Sequence, residues 1–308
     1  MLVVYFSIRS CPFKVLKYKI LILLLLILFP VYLHAREREY KTKYGKIFIE
    51  KFLTSPFPHK DREKGYTYQK TFYDAKTHYS SRSSIIYIPN GIKRSSRINL
   101  VFYFHGWNDR LHFIPPLYRV ISQFAASRKN AILVIPQGPR AAPDSFWGKF
   151  EDKAGFKRYV HNVVARMYKK GRVPSNRIGN LILAGHSGAY RVIAYILMRG
   201  EMSRKIREVY LFDALYGEME KYIYWFSFYG GRFVNLFTEN PKVMQTSMRL
   251  IEDLDGWNVP YLFKKEKEIQ DKEYKENRIL FILSQKKHNE VMHGVFYKLL
   301  RTGSLSDL

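Results

Sequence analysis

The chain has 308 residues, 47% of them hydrophobic and 25% charged, which excludes an intrinsically disordered protein and is enough for one large domain with a substantial core. Lys and Arg total 52 against 26 Asp and Glu, and this formal net charge of +26 predicts attraction to polyanions. Cys11 is the single cysteine, which excludes a disulfide framework and a multi-cysteine zinc site.

Residues 1–35 have the composition of a targeting segment. Residues 20–33 read ILILLLLILFPVYL and follow four basic residues and no acidic ones. This run is shorter than the roughly 20 residues that cross a bilayer as a helix, and the small Ala35 stands where a signal-peptide cleavage site would. We predict a signal peptide cleaved after Ala35. An uncleaved N-terminal anchor is the alternative, because Leu33 is bulky for a cleavage site.

Either form of the segment predicts export, so that the rest of the chain is periplasmic, secreted or membrane-anchored. Residues 36–308 keep 48 basic and 26 acidic residues, a net charge of +22. Export argues against nucleic acid as the partner and favours an anionic membrane or cell-wall surface. A high Lys and Arg content also keeps a surface soluble, so the charge alone does not define a site.

Residues 36–97 are predicted to form an N-terminal strand region. β-Favouring runs at Lys46–Phe52, Tyr66–Tyr73 and Ser84–Ile88 are separated by breaks rich in Ser, Pro and Lys. This pattern is typical of an antiparallel extension that leads into a core.

Residues 98–308 alternate short apolar runs with helical segments, and this alternation is typical of βαβ units on a mostly parallel sheet flanked by helices. One α/β domain over residues 36–308 is therefore predicted, with its catalytic core at 98–308. The predicted strands are Asn99–Phe104, Ala131–Ile135, Asn180–Ala184, Glu208–Phe212, Phe233–Phe237 and Arg278–Leu283. The predicted helices are Pro116–Ser127, Phe156–Lys170, Ala189–Arg199, Ala214–Phe226, Pro241–Leu254 and Glu290–Arg301, with Lys264–Arg278 as an exposed helix or linker.

The segment NLILAGHSGA at Asn180–Ala189 has the features of a nucleophile elbow. A buried strand leads into Gly185, Ser187 follows two residues later, and a helix begins at once. Such a turn tolerates only small residues two positions before and after the serine. Gly185 and Ala189 occupy these positions, and Ala189 replaces the usual glycine. Ser187 is therefore the candidate nucleophile.

A serine nucleophile needs fixed donors for the oxyanion that forms on attack. The strand Asn99–Phe104 runs into His105, Gly106 and Trp107. We predict the backbone N–H groups of Trp107 and Gly188 as the oxyanion hole, and we expect His105 to order its loop rather than to act as the base.

The order of HGW, GHSGA, an acid and a late histidine resembles the α/β-hydrolase fold over roughly residues 85–305. The resemblance implies a serine esterase or lipase whose acid follows a strand beyond the elbow and whose histidine follows the last strand. Asp213, directly after the strand Glu208–Phe212, is the preferred acid, and Glu239, after the next strand, is the alternative.

Two histidines follow the last predicted strand. His288 lies in the loop at the edge of the sheet where the base must stand, and His293 is expected about one turn into the closing helix. We therefore prefer His288 as the base and keep His293 as the alternative. The same two histidines could instead be metal ligands, but their spacing does not favour a metal site because the sequence shows no third ligand.

These residues predict an exported serine hydrolase that cleaves carboxylic esters through an acyl-enzyme on Ser187, with no cofactor and no metal. The substrate is a small-molecule, lipid or cell-envelope ester. An amide or peptide hydrolase with the same residues is an alternative, as is a catalytically inactive protein of this fold that binds anionic cell-envelope polymers. Trp107 and the aromatic residues of the loop 136–148 are a candidate pocket, although loop packing explains them equally well.

Overall fold

The computed structural model describes residues 38–94 and 97–308, so the predicted targeting segment at residues 1–35 lies outside the described residues. The strands are β1 (Arg38–Thr42), β2 (Gly45–Lys51), β3 (Tyr66–Tyr68), β4 (Thr71–Tyr73), β5 (Ser83–Pro89), β6 (Ile98–Phe104), β7 (Ala131–Pro136), β8 (Ile178–His186), β9 (Ile206–Phe212), β10 (Arg232–Phe237), β11 (Leu262–Lys265) and β12 (Ile279–Leu283). The helices are α1 (Ala75–His78), α2 (Ile114–Tyr118), α3 (Val120–Ser127), α4 (Gly155–Lys169), α5 (Tyr190–Arg199), α6 (Met219–Tyr229), α7 (Pro241–Gly256), α8 (Asp271–Glu276) and α9 (Val295–Thr302).

One large sheet has the strand order β1-β2-β5-β7-β6-β8-β9-β10-β12-β11. Strand β5 is antiparallel to both β2 and β7, whereas each pairing from β7 onward in the order β7-β6-β8-β9-β10-β12-β11 is parallel. The predicted fold class, a mostly parallel sheet flanked by helices with an N-terminal antiparallel extension, is confirmed.

The apolar runs form strands because helices cover both faces of the sheet. In β6, Phe102 and Phe104 belong to the core cluster on one face, and Val101 and Tyr103 belong to the cluster on the other. A strand buried on both faces has no polar face, which explains why such strands read as continuous apolar runs.

The strand order places one edge of the sheet at a topological switch point. Strand β6 lies between β7 and β8, so the connections that leave β6 and β7 run in opposite directions across the sheet. Ligands of open α/β sheets bind outside the carboxyl ends of the strands at such a point. The loops after β6 and β8 meet there.

The predicted helix at Ala214–Phe226 begins later than expected, at Met219. Asp213 and Glu218 both have positive φ, +47° and +60°, so the backbone turns twice before the helix can start. The predicted helix Pro116–Ser127 is also divided, because Arg119 between α2 and α3 has a left-handed backbone with φ of +51°.

The C-terminal part differs from the prediction at two points. Residues 262–265, which overlap the predicted exposed segment Lys264–Arg278, form the edge strand β11, and the short helix α8 follows it. Strand β11 has only four residues and alternates half-buried with exposed side chains, so its apolar signal is weak. Helix α9 begins at Val295, so His293 lies before the helix and not one turn inside it.

The segment between β2 and β5, residues 52–82, lies against the loops at the carboxyl edge of the sheet. The β3–β4 hairpin contacts the loop after β6, because the rings of Tyr68 and Trp107 lie 5.4 Å apart. The backbone N–H of Arg140, in the loop after β7, donates to the carbonyl of His78 at 2.9 Å. Within the residues that the structure describes, no helix has the length and apolar composition to cross a bilayer.

Candidate active site

Ser187 stands on a sharp turn between β8 and α5. Its φ is +55°, a left-handed conformation that costs energy for a residue with a side chain. Gly185 permits this turn, because a Cβ at that position would lie 2.6 Å from Cδ1 of Ile193. The same Cβ would lie 3.0 Å from Cβ of Ala189, so the absence of a side chain at 185 leaves room for alanine at 189.

Asp213 and His288 meet beside this turn. Asp213 directly follows β9 and His288 follows β12, and His288 Nδ1 lies 2.5 Å from Asp213 Oδ2. The Asp213 side chain has no exposed surface, whereas 36% of the His288 side chain is exposed. A buried carboxylate on Nδ1 fixes the tautomer of the imidazole and leaves Nε2 as the nitrogen that can accept a proton.

Asp213 is held as a carboxylate by its partners. Burial alone would raise its pKa, but hydrogen bonds from His288 and Thr238 outweigh burial and lower the pKa. Thr238 donates its backbone N–H to Asp213 Oδ1 at 2.9 Å, and its hydroxyl lies 3.0 Å from the same oxygen. The carboxylate therefore remains charged next to the imidazole.

The two alternative residues lie elsewhere. Glu239 is exposed. His293 Nε2 lies 3.0 Å from the carbonyl oxygen of Leu117, to which it donates as the Nε2–H tautomer. The structure brings together Asp213 and His288, and neither alternative takes part in that pair.

Trp107 and Gly188, predicted for the oxyanion hole, lie in contact with each other, and Gly106 before Trp107 lies against the nucleophile. A Cβ on Gly106 would lie 2.7 Å from Cβ of Ser187. A Cβ on Gly188 would lie 2.4 Å from Cδ1 of Trp107. The loop after β6 thus approaches the elbow as closely as the absence of these two side chains allows.

His105 holds that loop in place. Its Nδ1 donates to the carbonyl oxygen of Gly106 at 2.8 Å, and its Nε2 accepts from Gln137 Nε2 and from the backbone N–H of Gly138, both at 2.9 Å. Burial lowers the pKa of His105 to about 4. A neutral, fully bonded imidazole orders its loop and has no free nitrogen for proton transfer.

His186, the residue before the nucleophile, fixes the backbone of the base. Its Nε2 donates to the carbonyl oxygen of His288 at 2.9 Å, and the two rings lie 4.5 Å apart. Burial and the nearby His288 lower the pKa of His186 to about 3. The elbow motif accepts any side chain at this position, so the sequence predicts no role for His186.

Tyr216 is a further residue that the sequence analysis did not identify. Its hydroxyl lies beside the Ser187 side chain, and burial together with the charge of Asp213 raises the pKa of Tyr216 to about 12. Asn240 Nδ2 lies 3.5 Å from the same hydroxyl. In the sequence, only the position of Tyr216 three residues after Asp213 could have indicated this role, and a loop residue of this kind belongs to no motif.

A cavity of about 370 Å³ lies next to Gly188, the residue after the nucleophile, and we call it the tryptophan cavity. Trp107, which contacts Gly188, forms part of its wall, and Trp107 Nε1 donates to Ser145 Oγ at 2.7 Å. The wall includes Arg62, Tyr66, Trp107, Ser145, Tyr190 and Arg191. Phe146 of the loop 136–148 also lines the cavity, whereas Trp147 is wholly buried in the core.

Both arginines of the tryptophan cavity are paired with buried carboxylates. Arg62 binds Asp144 through two hydrogen bonds, with Nε at 2.7 Å from Oδ2 and Nη2 at 3.2 Å from Oδ1. Arg191 Nε lies 3.2 and 3.0 Å from the two carboxylate oxygens of Glu151. The charges in this wall are therefore compensated.

The described ranges contain no group of three or more His, Cys, Asp or Glu side chains that could hold a metal ion.

The sequence matches no protein-family model and no curated protein. Among solved structures, the chain is similar to a mutant of the feruloyl esterase module from Clostridium thermocellum complexed with sinapinate, with 10% identity and a TM-score of 0.50 over 87% of this chain and 93% of that chain. It is also similar to a ferulic acid esterase, with 13% identity and a TM-score of 0.52 over 83% of this chain and 97% of that one. At these identities the likeness concerns the fold.

Proposed function

The chain has the α/β-hydrolase fold, and on this premise we propose that it is a serine hydrolase that cleaves carboxylic esters through an acyl-enzyme on Ser187. The observation that carries the proposal is the 2.5 Å contact between Asp213 Oδ2 and His288 Nδ1, at the edge of the sheet where Ser187 stands on a strained turn. A buried acid on the imidazole and a serine on a sharp strand-to-helix turn are the parts that acyl transfer needs.

In the acylation step, Ser187 Oγ attacks the carbonyl carbon of the ester and His288 Nε2 takes the hydroxyl proton. The carbonyl electrons move onto oxygen, where the backbone N–H groups of Trp107 and Gly188 are the proposed donors. Collapse of this tetrahedral species expels the alcohol, which takes the proton from His288. Asp213 stabilises the imidazolium between the two transfers.

Deacylation repeats these transfers with water as the nucleophile. His288 Nε2 takes a proton from water, the hydroxide adds to the acyl carbon, and Ser187 leaves with the proton that His288 returns. The products are a carboxylic acid and the regenerated hydroxyl group, so the reaction needs no metal and no cofactor.

Esters are the proposed substrates, and small-molecule esters are the first to test. The similar solved structures are named as feruloyl and ferulic acid esterases, which favours ester over amide chemistry. The tryptophan cavity, with Tyr66, Trp107 and Tyr190 in its wall, suits a ring or an acyl group beside the scissile bond.

The experiment that tests the nucleophile is covalent labelling of residues 36–308 with an organophosphonate probe, read by intact mass. We expect one adduct on the parent and on a matched Ser203→Ala variant, whose serine bonds only to the Leu197 carbonyl in the described chain. We expect none on Ser187→Ala. A folded parent that takes no adduct, or a Ser187→Ala variant that still takes one, would overturn the proposal.

We also propose that the chain is exported. The support is the order of four basic residues, the apolar run at residues 20–33 and the small Ala35. Expression of the full chain in a bacterium, followed by fractionation and N-terminal sequencing, tests this. A mature N-terminus at Arg36 outside the cytoplasm is expected, and an intact chain found in the cytoplasm would contradict export.

A further inference from the structure

A second cavity lies beside the tryptophan cavity, and we call it the lysine cavity. Its volume is about 450 Å³. Its wall includes Leu53, Pro58, His59, Lys60, Lys149, Asp152 and Arg158. Residues 59–62 separate the two cavities, because His59 and Lys60 line this one and Asp61 and Arg62 line the tryptophan cavity.

The three cations of the lysine cavity have no carboxylate partner within the described chain. Lys149 Nζ donates to the carbonyl oxygen of Leu53 at 3.1 Å, and Arg158 Nη1 donates to that of Lys153 at 3.1 Å. Lys60 Nζ makes no hydrogen bond or ion pair there. Carbonyl groups do not neutralise these charges. The lysine cavity therefore differs from the tryptophan cavity, where Arg62 and Arg191 are each paired with a carboxylate.

The one carboxylate that lines the cavity, Asp152, bonds to a histidine instead of a cation. His59 Nδ1 accepts the backbone N–H of Asp61 at 3.2 Å, so His59 Nε2 carries the proton and donates to Asp152 Oδ2 at 3.3 Å. A neutral His59 adds no charge. Three cations thus face a single carboxylate.

The pKa of Lys149 agrees with an excess of positive charge. Burial and the neighbouring Arg82 lower the pKa of the Lys149 ammonium, Asp152 opposes this shift, and Arg158 adds to it, so that the net shift is downward. Cations that lack a carboxylate partner are groups that bind an oxyanion.

We propose that the lysine cavity is a binding subsite for an acidic saccharide, and that it holds a carboxylate or sulfate of the substrate while the ester lies at Ser187. The proposal rests on the proposed function, since segment 59–62 lines the lysine cavity on one side and, on the other, the tryptophan cavity, whose Trp107 and Ser145 lie against Gly188 next to Ser187. The wall combines the cations Lys60, Lys149 and Arg158 with apolar surface from Leu53 and Pro58. An acidic sugar offers an anion to the cations and a C–H face to the apolar surface, whereas an acyl chain would leave the cations without a counter-charge.

Binding of trigalacturonate to the Ser187→Ala protein tests the subsite without any need for turnover. Calorimetry at low ionic strength is appropriate, because salt screens exposed charges. We expect binding, and a loss of at least about tenfold in affinity for a Lys149→Met/Arg158→Met double variant, which removes two charge-assisted hydrogen bonds. The matched control is Lys242→Met/Arg249→Met, which removes one lysine and one arginine from the exposed face of α7 and should bind as the parent does.

A Lys60→Met variant keeps the test valid if the double variant fails to fold, because Lys60 Nζ makes no hydrogen bond or ion pair in the described chain. We expect a loss of about threefold for the removal of one screened charge. Equal binding by the parent, the double variant and Lys60→Met would mean a diffuse charge effect and would overturn the subsite.

Failure of the subsite is separable from failure of the proposed function. A parent that takes the phosphonate label but does not bind trigalacturonate would retain the hydrolase proposal and refute the acidic-sugar subsite. Binding to phosphatidylglycerol vesicles without binding to trigalacturonate would likewise refute the saccharide and indicate a lipid headgroup.

Discussion

The tryptophan cavity and the lysine cavity share a wall, but their basic residues differ in whether they are paired with carboxylates. In the first, Arg62 and Arg191 are each locked to a buried carboxylate. In the second, Lys60, Lys149 and Arg158 have no carboxylate partner in the described chain, and Asp152 bonds to His59.

The difference shows that the basic residues behind the net charge of +26 do not all have the same role. An arginine paired with a buried carboxylate holds loops together, and an unpaired lysine in a cavity is available to a ligand. Composition counts both kinds equally. Whether a cation stabilises the fold or is available to bind a ligand depends on whether a carboxylate is paired with it in the structure.

The largest expected effect is on catalysis, and it should leave ligand binding at the lysine cavity unchanged. We expect Asp213→Asn to lower kcat for a small neutral ester by about 10³- to 10⁴-fold, since an amide at this position no longer stabilises the imidazolium. The same variant should bind trigalacturonate as tightly as the parent. Glu239→Gln is the matched control and should keep full activity; a larger loss in Glu239→Gln than in Asp213→Asn would reverse the choice of acid.

The next effect tests whether the paired arginine is structural. We expect Arg62→Met to lower the free energy of unfolding by about 2–3 kcal/mol, because it leaves Asp144 buried without its cation. The Arg62 guanidinium also lies 4.6 Å from the Tyr66 ring centroid, so packing is lost as well. Urea unfolding gives the value.

A double variant, Arg62→Met/Asp144→Asn, is the control for that pair, and it should recover part of the lost stability because no buried charge then remains unpaired. An unchanged unfolding midpoint in Arg62→Met would contradict the assignment of Arg62 to structure.

The smallest expected effect has the opposite sign. We expect Lys149→Met to raise the free energy of unfolding by about 0.5 kcal/mol at low salt, because it relieves the repulsion from Arg82 and Arg158. The carbonyl of Leu53 loses a donor, but water can replace it because this residue is 71% exposed. The gain should disappear in high salt, and a destabilised Lys149→Met at low salt would show that the lysine is structural.

Local patterns predicted the parts of the site that lie at strand ends. Gly185 and Ser187 were visible in the sequence because the strand, turn and helix are contiguous, and Asp213 because it directly follows a buried strand. The choice between His288 and His293 depended on where the last helix begins. The sequence placed that start too early, and the structure has it at Val295.

The residues that the sequence did not reveal reach the site through long-range contacts. Arg62 comes from a segment more than 100 residues before Ser187 and meets Asp144, 82 positions along the chain. Tyr216 lies in a short loop without a periodic pattern. Such positions depend on the path of loops across the sheet edge, and that path is set by tertiary packing.

The segment at residues 52–82 has a consequence for how this protein can diversify. The residues proposed for the chemistry stand on the ends of β6, β8, β9 and β12, whereas this one segment contributes the shared wall between the cavities and the hairpin against Trp107. Exchange of a single contiguous insertion would therefore alter which substrates are recognised and leave the reaction machinery intact. In this sense, the sheet carries the catalytic residues, and a segment that can vary independently of the sheet contributes to substrate specificity.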